Sequence, residues 1–317
     1  MDELRGIQVQ SSQLMFSVVI PTFNRARQLR DCLASLALQD LPKRCFEVVL
    51  VDDGGSEALE EVLSPFREQL DIRLLRQTHM GCAAARQLGI EHASGEYLAF
   101  TDDDCCPAPN WLSTLGARLA AHPGCAVGGP TVNGAVDNPF SEATQTVVRV
   151  LTEWTRDEAG FVPYCPTSNA AFPALALESV GGLDPTWAIA GGEDRDLCAR
   201  WSDAGCRLLF ALEARVFHFH RLTLFQFAKQ HFNYGRGAIR FLHADEARAP
   251  NRFRSKGIGF YRTLFHAPFE NQPPRQAALI FGLLLVTQIA TAAGMISEVC
   301  SPVRRRSPQR LPVGMKG

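Results

Sequence analysis

Three consecutive carboxylates follow a short apolar run in the first third of the chain. Asp102, Asp103 and Asp104 come directly after Tyr97–Phe100, a run typical of a buried strand. Carboxylates at such a position lose much of their hydration unless a positive charge meets them. Oxygen ligands suit Mg²⁺ and Mn²⁺, so the run predicts a site for a divalent cation. A solvated acidic turn is the alternative, and the rest of the chain decides between the two.

A second acidic pair stands later in the chain. Glu193 and Asp194 follow two glycines at a predicted helix start, where the helix dipole favours an ionised carboxylate. A carboxylate held there can take a proton from a hydroxyl as a general base. Asp is also common in first turns without any catalytic task. Asp196 has Arg200 four residues later, and this spacing predicts a structural ion pair.

The elements that position these acids alternate between strand and helix. The apolar runs predict strands over 16–20, 46–51, 72–75 and 97–100, and the helical spacing predicts helices over 26–38, 57–70, 81–93 and 110–121. Continuous apolar strands separated by helices predict a mostly parallel sheet that is covered on both faces. Ligands of such sheets bind beyond the carboxyl ends of the strands. No GxGxxG opens the first helix, which argues against a dinucleotide-dependent dehydrogenase.

Composition places the chain among globular proteins. It has 317 residues, 46% of them apolar, which is enough for a substantial core. The ten cysteines contain no CxxC pair and mostly lie within apolar patterns, which favours reduced thiols in a cytosolic protein. Residues 1–15 lack the charged and apolar regions of a signal peptide, so we expect no cleaved leader.

The net charge of −1 hides a division between two parts of the chain. Residues 1–220 carry 17 Lys and Arg against 29 Asp and Glu, whereas residues 221–317 carry 15 against 4. This division predicts an anionic partner for the C-terminal third. The basic region contains no recognisable nucleic-acid module, so a membrane surface is favoured over nucleic acid.

An uncharged stretch over 277–296 lies within this basic third. As a helix it would extend roughly 30 Å, the thickness of a bilayer core. Its second half is only mildly apolar because it contains Thr287, Gln288 and Thr291. Three alternatives remain, namely a membrane span, a helix on the membrane surface or docked to another domain, and a core helix.

Taken in order, the motifs resemble those of glycosyltransferase family 2, the inverting nucleotide-sugar transferases of GT-A fold. The matching segments are Val19-Ile20-Pro21-Thr22-Phe23-Asn24-Arg25, Val51-Asp52-Asp53-Gly54, Phe100-Thr101-Asp102-Asp103-Asp104 and Gly192-Glu193-Asp194-Arg195-Asp196-Leu197. Each is weak alone, but together they cover roughly 16–243 in the order of the family.

The resemblance implies a fold and a division of the chain. We expect an α/β protein of GT-A fold, with a Rossmann-like, mostly parallel sheet, helices on both faces and a C-terminal helical extension. The expected parts are an N-terminal tail, a catalytic domain with a nucleotide-binding and an acceptor half, a basic and apolar helical extension, and a disordered tail. Their expected bounds are 1–15, 16–243 (halves 16–130 and 131–243), 244–300 and 301–317.

The resemblance also implies the residues of the donor site. The expected nucleotide-sugar contacts are Pro21, Thr22, Asn24, Arg25, Asp53, Asp102 and Asp103. Asp53 would accept a hydrogen bond from the base, cap the turn at Gly54-Gly55, or do both. Asp104 is the expected direct metal ligand, and Asp102 is expected near the ribose or the metal. Asp103 occupies the variable middle position of the family's DxD motif. In the alternative interpretation it contacts neither the donor nor the metal.

Further roles follow from the same resemblance. Asp194 is the expected general base, and Glu193 is expected to hold the acceptor or to orient the base. His218 is expected at the metal or the phosphates, with His220 and Arg221 as alternatives for the diphosphate. The residues expected around the acceptor or donor sugar are Ser168, Asn169 and Trp187, with a core position as the alternative for Trp187.

The expected activity is an inverting transfer that depends on Mn²⁺ or Mg²⁺. The donor would be a UDP- or GDP-sugar and the acceptor a glycan or lipid-linked hydroxyl, for envelope or polysaccharide synthesis. We expect a cytoplasmic protein, in peripheral contact with the cytoplasmic face of the membrane and without a nucleic-acid partner. One alternative is a nucleotidyltransferase, which lacks support because no Gly-rich basic loop follows the first strand. The other is a non-catalytic glycan- or nucleotide-binding protein, against which the intact acids argue.

Overall fold

The structure is a computed structural model, which describes residues 14–187, 191–249 and 257–301. Nearly all of the expected N-terminal and C-terminal tails, and the basic residues Arg252, Arg254 and Lys256, lie outside the described residues.

The described residues form strands and helices in alternation, followed by helices alone. The strands are β1 (Phe16–Thr22), β2 (Phe46–Asp52), β3 (Asp71–Arg76), β4 (Tyr97–Phe100), β5 (Cys105–Pro107), β6 (Ala126–Gly128), β7 (Thr131–Asn133), β8 (Ala170–Pro173), β9 (Leu208–Phe210) and β10 (Val216–His218). The helices are α1 (Ala26–Ala37), α2 (Leu59–Leu63), α3 (Cys82–His92), α4 (Trp111–Ala121), α5 (Pro139–Thr155), α6 (Ala174–Ser179), α7 (Glu193–Asp203), α8 (Leu224–Arg248), α9 (Ile258–Asn271) and α10 (Pro274–Cys300).

Seven strands form the main sheet in the order β3-β2-β1-β4-β8-β6-β9. All neighbours pair in parallel except β8, which runs antiparallel to β4 and β6. The register places Thr22 opposite Asp52 and Val19 opposite Phe100, so β1, β2 and β4 end at one edge. The predicted mostly parallel sheet is confirmed.

A second, three-stranded sheet has the order β5-β10-β7. Its antiparallel pair places His218 opposite Cys105, directly after the acidic run. This pairing brings a residue from late in the chain to the carboxyl end of β4.

Helices cover both faces of the main sheet, as predicted. Successive side chains of a strand point to opposite faces. In β1, Val18 packs in the cluster that contains Leu33 of α1, whereas Val19 packs in the cluster that contains Leu197 and Trp201 of α7.

Predicted and observed bounds differ at several elements, most of all at α2. The helix predicted over 57–70 is wrong in length, because α2 ends at Leu63 and a 3-10 turn, Ser64–Phe66, follows it. Pro65 lacks a backbone N–H and ends the α-helical pattern. The boundary expected at residue 243 falls inside α8, which continues to Arg248.

The C-terminal helices pack with α5 around a third apolar cluster, to which α8, α9 and α10 contribute Phe227, Leu264 and Leu284. Glycines let α8 and α10 approach closely, since a Cβ on Gly294 would lie 1.9 Å from the Phe232 carbonyl oxygen. By length and composition, α10 is the one helix among the described residues that could cross a membrane.

Candidate active site

A cleft of about 250 Å³ opens beside the carboxyl edge of the main sheet. Its walls come from α3, α5, α8 and the first turn of α7, together with the loop before β8. Of the predicted site residues it brings together Asp102, Ser168, Glu193, Asp194 and His218. The two acidic motifs therefore face one cavity although about ninety residues separate them in the sequence.

Asp104 lies between the guanidinium of Arg25 and the imidazole of His218. Arg25 donates to its Oδ2 at 2.8 Å, and Nε2 of His218 lies 3.1 Å from its Oδ1. Burial opposes ionisation, but His218 and Arg25 together hold the pKa of Asp104 well below its usual range. Burial likewise opposes the charged imidazole, but the Asp104 carboxylate raises the pKa of His218.

The donor set around Asp104 fits a divalent cation. One ligand atom each of Asp104, Cys105 and His218 lie within 4.8 Å of one another. A carboxylate oxygen and an imidazole nitrogen suit Mn²⁺, and the carboxylate also suits Mg²⁺. Burial raises the pKa of the Cys105 thiol, which favours its neutral form.

A glutamine that the sequence analysis missed orients His218. Nε2 of Gln145 lies 2.9 Å from Nδ1 of His218, and Thr131 Oγ1 donates to Oε1 of Gln145 at 3.1 Å. These bonds turn Nε2 of His218 toward Asp104. No local signal marks Gln145, because its partner is 73 positions away.

The two alternatives for the diphosphate do not line this cleft. His220 stacks on His218 with ring centroids 4.2 Å apart, and burial lowers the pKa of His220 to about 4. Arg221 makes a two-pronged ion pair with Asp137, at 2.7 and 2.8 Å, on the exposed surface.

A buried arginine links the two acidic motifs. Arg86 of α3 is only 4% exposed and donates a short hydrogen bond to Asp102. Its guanidinium also lies 3.8 Å from Oε1 of Glu193. Arg86 lies outside the motifs that predicted the site. A charged residue that interrupts the alanines of a buried helix is the signal that would have found it.

Asp194 lies in the first turn of α7, as predicted. Tyr164 donates to its Oδ2 at 2.7 Å, and the backbone N–H of Arg195 donates to its Oδ1 at 2.8 Å. Glu193 accepts from the N–H of Gly191 at 2.7 Å. Burial and the neighbouring Asp194 raise the pKa of Glu193 to about 7. One acid of the pair therefore titrates near neutral pH.

Helix α8 supports the turn that carries this pair. Gly191 and Gly192 have φ of +111° and +129°, a conformation that favours glycine. A Cβ on Gly237 of α8 would lie 1.3 Å from the Gly191 carbonyl oxygen. A Cβ on Gly192 would lie 2.6 Å from the ring of Trp187. Trp187 is buried, as expected for the core position that was the alternative to a sugar contact.

Asn169 lies beneath the cleft, fully buried. Its Oδ1 accepts from the Trp111 indole at 2.8 Å, and its Nδ2 donates to the carbonyl oxygens of Pro130 and Ala214 at 3.0 and 2.8 Å. These bonds join three segments below the site, and Ser168 is the neighbour that reaches the cavity.

Asp53 holds the loop before α3. Its Oδ1 accepts from the Gln77 side chain at 2.7 Å and from the N–H of Met80 at 2.8 Å, and its Oδ2 accepts from the N–H of Gly81 at 2.9 Å. The cap of the Gly54 turn comes from Asp52 instead, which accepts from the N–H of Gly55 at 2.8 Å.

The end of β1 and the segment after it close this edge of the sheet. Pro21 is the last residue but one of β1, and Thr22, the last, donates to Asp103 at 2.8 Å. Arg25 donates to Asp103 at 3.0 Å, so the middle acid points toward β1. Asn24 has φ of +52° and accepts from the N–H of Ser56 at 2.7 Å.

Phe23 adds an aromatic surface that the sequence analysis did not single out. Its ring is 40% exposed and stacks on His79, with centroids 4.2 Å apart. An exposed ring at the expected nucleotide-binding edge offers a face on which a base can stack.

Comparison with known proteins assigns the family. The sequence profile described as Glycosyl transferase family 2 matches residues 17–177, half of the chain. The chain belongs to this family. It is 31% identical over 229 residues to the pre-mycofactocin glycosyltransferase of Mycobacterium tuberculosis, covering 70% of this chain and 46% of that protein. It is 30% identical over 229 residues to the glycosyltransferase AglE of Haloferax volcanii, covering 70% and 72%. The chain thus spans about half the length of the mycobacterial relative.

Solved structures confirm the predicted GT-A fold. The mannosyltransferase PcManGT of Pyrobaculum calidifontis, in complex with GDP-Man and Mn²⁺, superposes with a TM-score of 0.62 at 19% identity, covering 92% of this chain and 88% of that one. S. aureus TarS 1–349 in complex with UDP-GlcNAc gives 0.54 at 16% identity, with 89% of each chain covered. At these identities the likeness concerns the fold.

Proposed function

We propose that this family 2 protein is an inverting glycosyltransferase that moves a sugar from a nucleotide-diphosphate sugar to an acceptor hydroxyl. One observation carries the proposal. Asp102, His218 and Asp194, from three distant segments, line the same cleft. A donor bound at the first two would present its anomeric carbon to an acceptor activated by the third.

Asp194 is the proposed base of a single displacement. It takes the proton of the acceptor hydroxyl while that oxygen bonds to the anomeric carbon. The bond from the same carbon to the diphosphate breaks, and the nucleotide diphosphate leaves with the electron pair. Attack from the face opposite the leaving group inverts the configuration. Tyr164 and the N–H of Arg195 keep the carboxylate oriented, and Glu193 holds the turn through Gly191.

Asp104 and His218 are the residues proposed to hold Mn²⁺ or Mg²⁺, with Asp102 on the cleft side. The fit of their donor atoms supports this assignment. A bound cation would neutralise the charge that develops on the departing diphosphate.

The proposed donor is a UDP- or GDP-sugar, in keeping with the nucleotides in the related structures. Phe23 would stack on the base, and the segment from Pro21 to Arg25 would enclose the nucleotide. Asp53 is proposed to shape this edge through the loop 77–81. Asp103 is proposed to fix Thr22 and Arg25 in place.

A panel of UDP-, GDP- and dTDP-sugars tests the donor assignment. One donor with Mn²⁺ should raise the melting temperature, because a ligand that binds the folded state stabilises it, and EDTA should abolish the shift. Turnover should release the nucleotide diphosphate. Release of pyrophosphate would instead indicate a nucleotidyltransferase. Binding without turnover across a broad acceptor panel would indicate a binding protein.

The outward face of α10 is proposed to contact an anionic bilayer. Beyond Arg275 its exposed positions are apolar, with Leu279, Leu285, Ile289, Ile296 and Val299 all more than two-fifths exposed. The excess of Lys and Arg after residue 220 suits anionic headgroups, which attract basic segments. The proposed contact is with the cytoplasmic face of the membrane.

The packing of α10 argues for a helix on the surface rather than a span. Its inner face lies against α8, and Arg236 and Arg240 of α8 bond Glu298 at 2.7 and 2.6 Å. A span would bring these charges into lipid at high cost. An apolar face on a polar body is typical of an interfacial helix.

Vesicle sedimentation tests this contact. The protein should bind vesicles that contain phosphatidylglycerol, and high salt should release it only in part, since salt does not reverse apolar burial. The double variant Ile289→Asp, Ile296→Asp should lose binding. Leu175→Asp, at an 83% exposed position of α6, is the matched control. If the wild-type protein does not bind these vesicles and elutes as a dimer in size-exclusion chromatography, the apolar face of α10 is instead a contact between two copies of the chain.

A further inference from the structure

The cleft and the proposed membrane face lie on opposite sides of α8. Gly235 contacts the backbone of α10 at Thr291, and Arg236 bonds Glu298. On the other side of α8, Tyr234 and Gly237 contact Gly191, next to the Glu193–Asp194 pair. At 3.6 residues per turn, positions 235 and 236 point away from 234 and 237 by more than a quarter turn.

Helix α10 repeats this arrangement. Gly294 and Glu298 face α8. Ile289 and Ile296 lie on the opposite side of the helix and are 70% and 64% exposed. The order outward from the cleft is therefore the catalytic turn, α8, α10 and the apolar face. Two helix layers separate Asp194 from the surface that would contact lipid.

Helix dimensions give the height of Asp194 above that surface. Packed helix axes lie roughly 8–10 Å apart, and side chains extend about 5 Å beyond an axis. Because glycines bring α8 close to α10 and to the Gly191 turn, the lower spacing applies, and the catalytic turn stands about 18 Å from the tips of the outward side chains. A headgroup layer adds only about 5–8 Å to each side of the hydrocarbon core. Asp194 then lies about 10 Å beyond the outer edge of the headgroups.

We propose that the acceptor is a lipid-linked saccharide whose reacting hydroxyl is carried on a sugar that projects beyond the headgroups. A lipid phosphate at headgroup level would remain below the base. The proposal rests on the proposed function, because it takes Asp194 as the base and α10 as the membrane contact. In the step proposed, a sugar hydroxyl gives its proton to Asp194 and its oxygen to the anomeric carbon, and the nucleotide diphosphate leaves.

The walls of the cleft agree with a saccharide. Ser168, Gln230 and Tyr234 line the cavity with Asp194. Hydroxyl and amide groups beside an aromatic ring bind sugar hydroxyls and an apolar sugar face.

Energy transfer measures the height of the bound nucleotide above the membrane. The donor fluorophore is a methylanthraniloyl derivative of the nucleotide diphosphate that stabilises the protein, bound with Mn²⁺. The acceptor is a rhodamine lipid in phosphatidylglycerol vesicles. Because the proposed donor site and Asp194 line one cleft, we expect a fitted height above the headgroup layer. A height within the headgroup layer would overturn the proposal.

A second measurement uses acceptors in the same vesicles. Polyprenyl phosphate should be glycosylated at least tenfold more slowly than polyprenyl diphosphate carrying a mono-, di- or trisaccharide, with Asp194→Asn as the blank. Equal or faster transfer to polyprenyl phosphate would overturn the proposal. Loss of vesicle binding would instead contradict the membrane contact, and loss of donor turnover in solution would contradict the transferase itself. The three failures are therefore distinguishable.

Discussion

The hydroxyl of Tyr164 donates to Oδ2 of Asp194 at 2.7 Å. Burial raises the pKa of Tyr164 well above its usual value, so the phenol stays a donor at every working pH. The segment that carries the tyrosine is fixed, because the N–H of Val162 bonds the Leu208 carbonyl oxygen at 2.9 Å. Cys198 of α7 also bonds the carbonyl oxygen of Cys165 at 3.6 Å. Tyr164 is thus placed to orient the proposed base.

Tyr164→Phe should lower kcat about tenfold or more and leave donor affinity unchanged, since only one hydrogen bond to a charged group is lost. The ionised carboxylate loses a donor in the variant and is no longer held toward the acceptor. Turnover from released nucleotide diphosphate and donor affinity from calorimetry check this. Tyr97→Phe, in β4, is the matched control. A kcat equal to that of the wild type would limit Tyr164 to a role in stability.

Asp194→Asn should keep donor binding and lose transfer by roughly 10²–10⁴-fold, the contribution typical of a general base. Donor affinity, measured by calorimetry, should stay unchanged. Turnover, measured from released nucleotide diphosphate, should fall. Glu178→Gln, at an exposed position of α6, serves as the control. Transfer at the wild-type rate in Asp194→Asn would move the base elsewhere, with Glu193 and Asp196 as the next candidates.

Asp104→Asn should weaken Mn²⁺ binding severely, because the variant loses the carboxylate that faces His218. Asp103→Asn should retain the affinity for Mn²⁺, since this carboxylate points to Thr22 and Arg25. Calorimetric titration of Mn²⁺ in the presence of the donor compares the two. The metal assignment does not survive if the two variants bind Mn²⁺ equally well.

Glu193→Gln should change the pH dependence of stability. The pKa of Glu193 is raised from 4.5 to about 7, so the folded protein keeps a proton that the unfolded chain releases between these values. The stability that Glu193 contributes is therefore lost as the pH rises through this interval. The variant, which stays neutral, should gain in melting temperature relative to wild type between about pH 5 and about pH 8. A constant difference across this range would contradict the raised pKa.

The sequence predicted those features that depend on short-range pattern. Apolar runs of strand length and helical spacing predicted the parallel sheet, because periodicity reflects which side chains face the core. The acidic run at the end of β4 and the acids that begin α7 were predicted at the right positions. The length of α2 was not predicted correctly, because Pro65 ends the helix within a favourable helical pattern.

The particular tasks of single side chains depended on partners far away in the chain. The sequence placed Asn169 at the sugar site, but the fold surrounds it with Trp111, Pro130 and Ala214. Asp53 was expected to cap its own turn or bind the base, and its carboxylate instead bonds the loop 77–81. A residue type indicates which bonds a side chain can make, but not which partner the fold presents.

The sequence by itself determined the family, the GT-A sheet and the acids around which a site forms, since these are recorded in motifs and periodicity. Only the tertiary structure decided that Arg86 joins Asp102 to Glu193, that Gln145 orients His218 and that Tyr164 orients Asp194. It also decided that α8 separates the catalytic turn from the apolar face of α10. The physical reason is the same in each case. These contacts join residues between 16 and 107 positions apart, and only the packing of the whole chain sets their distances.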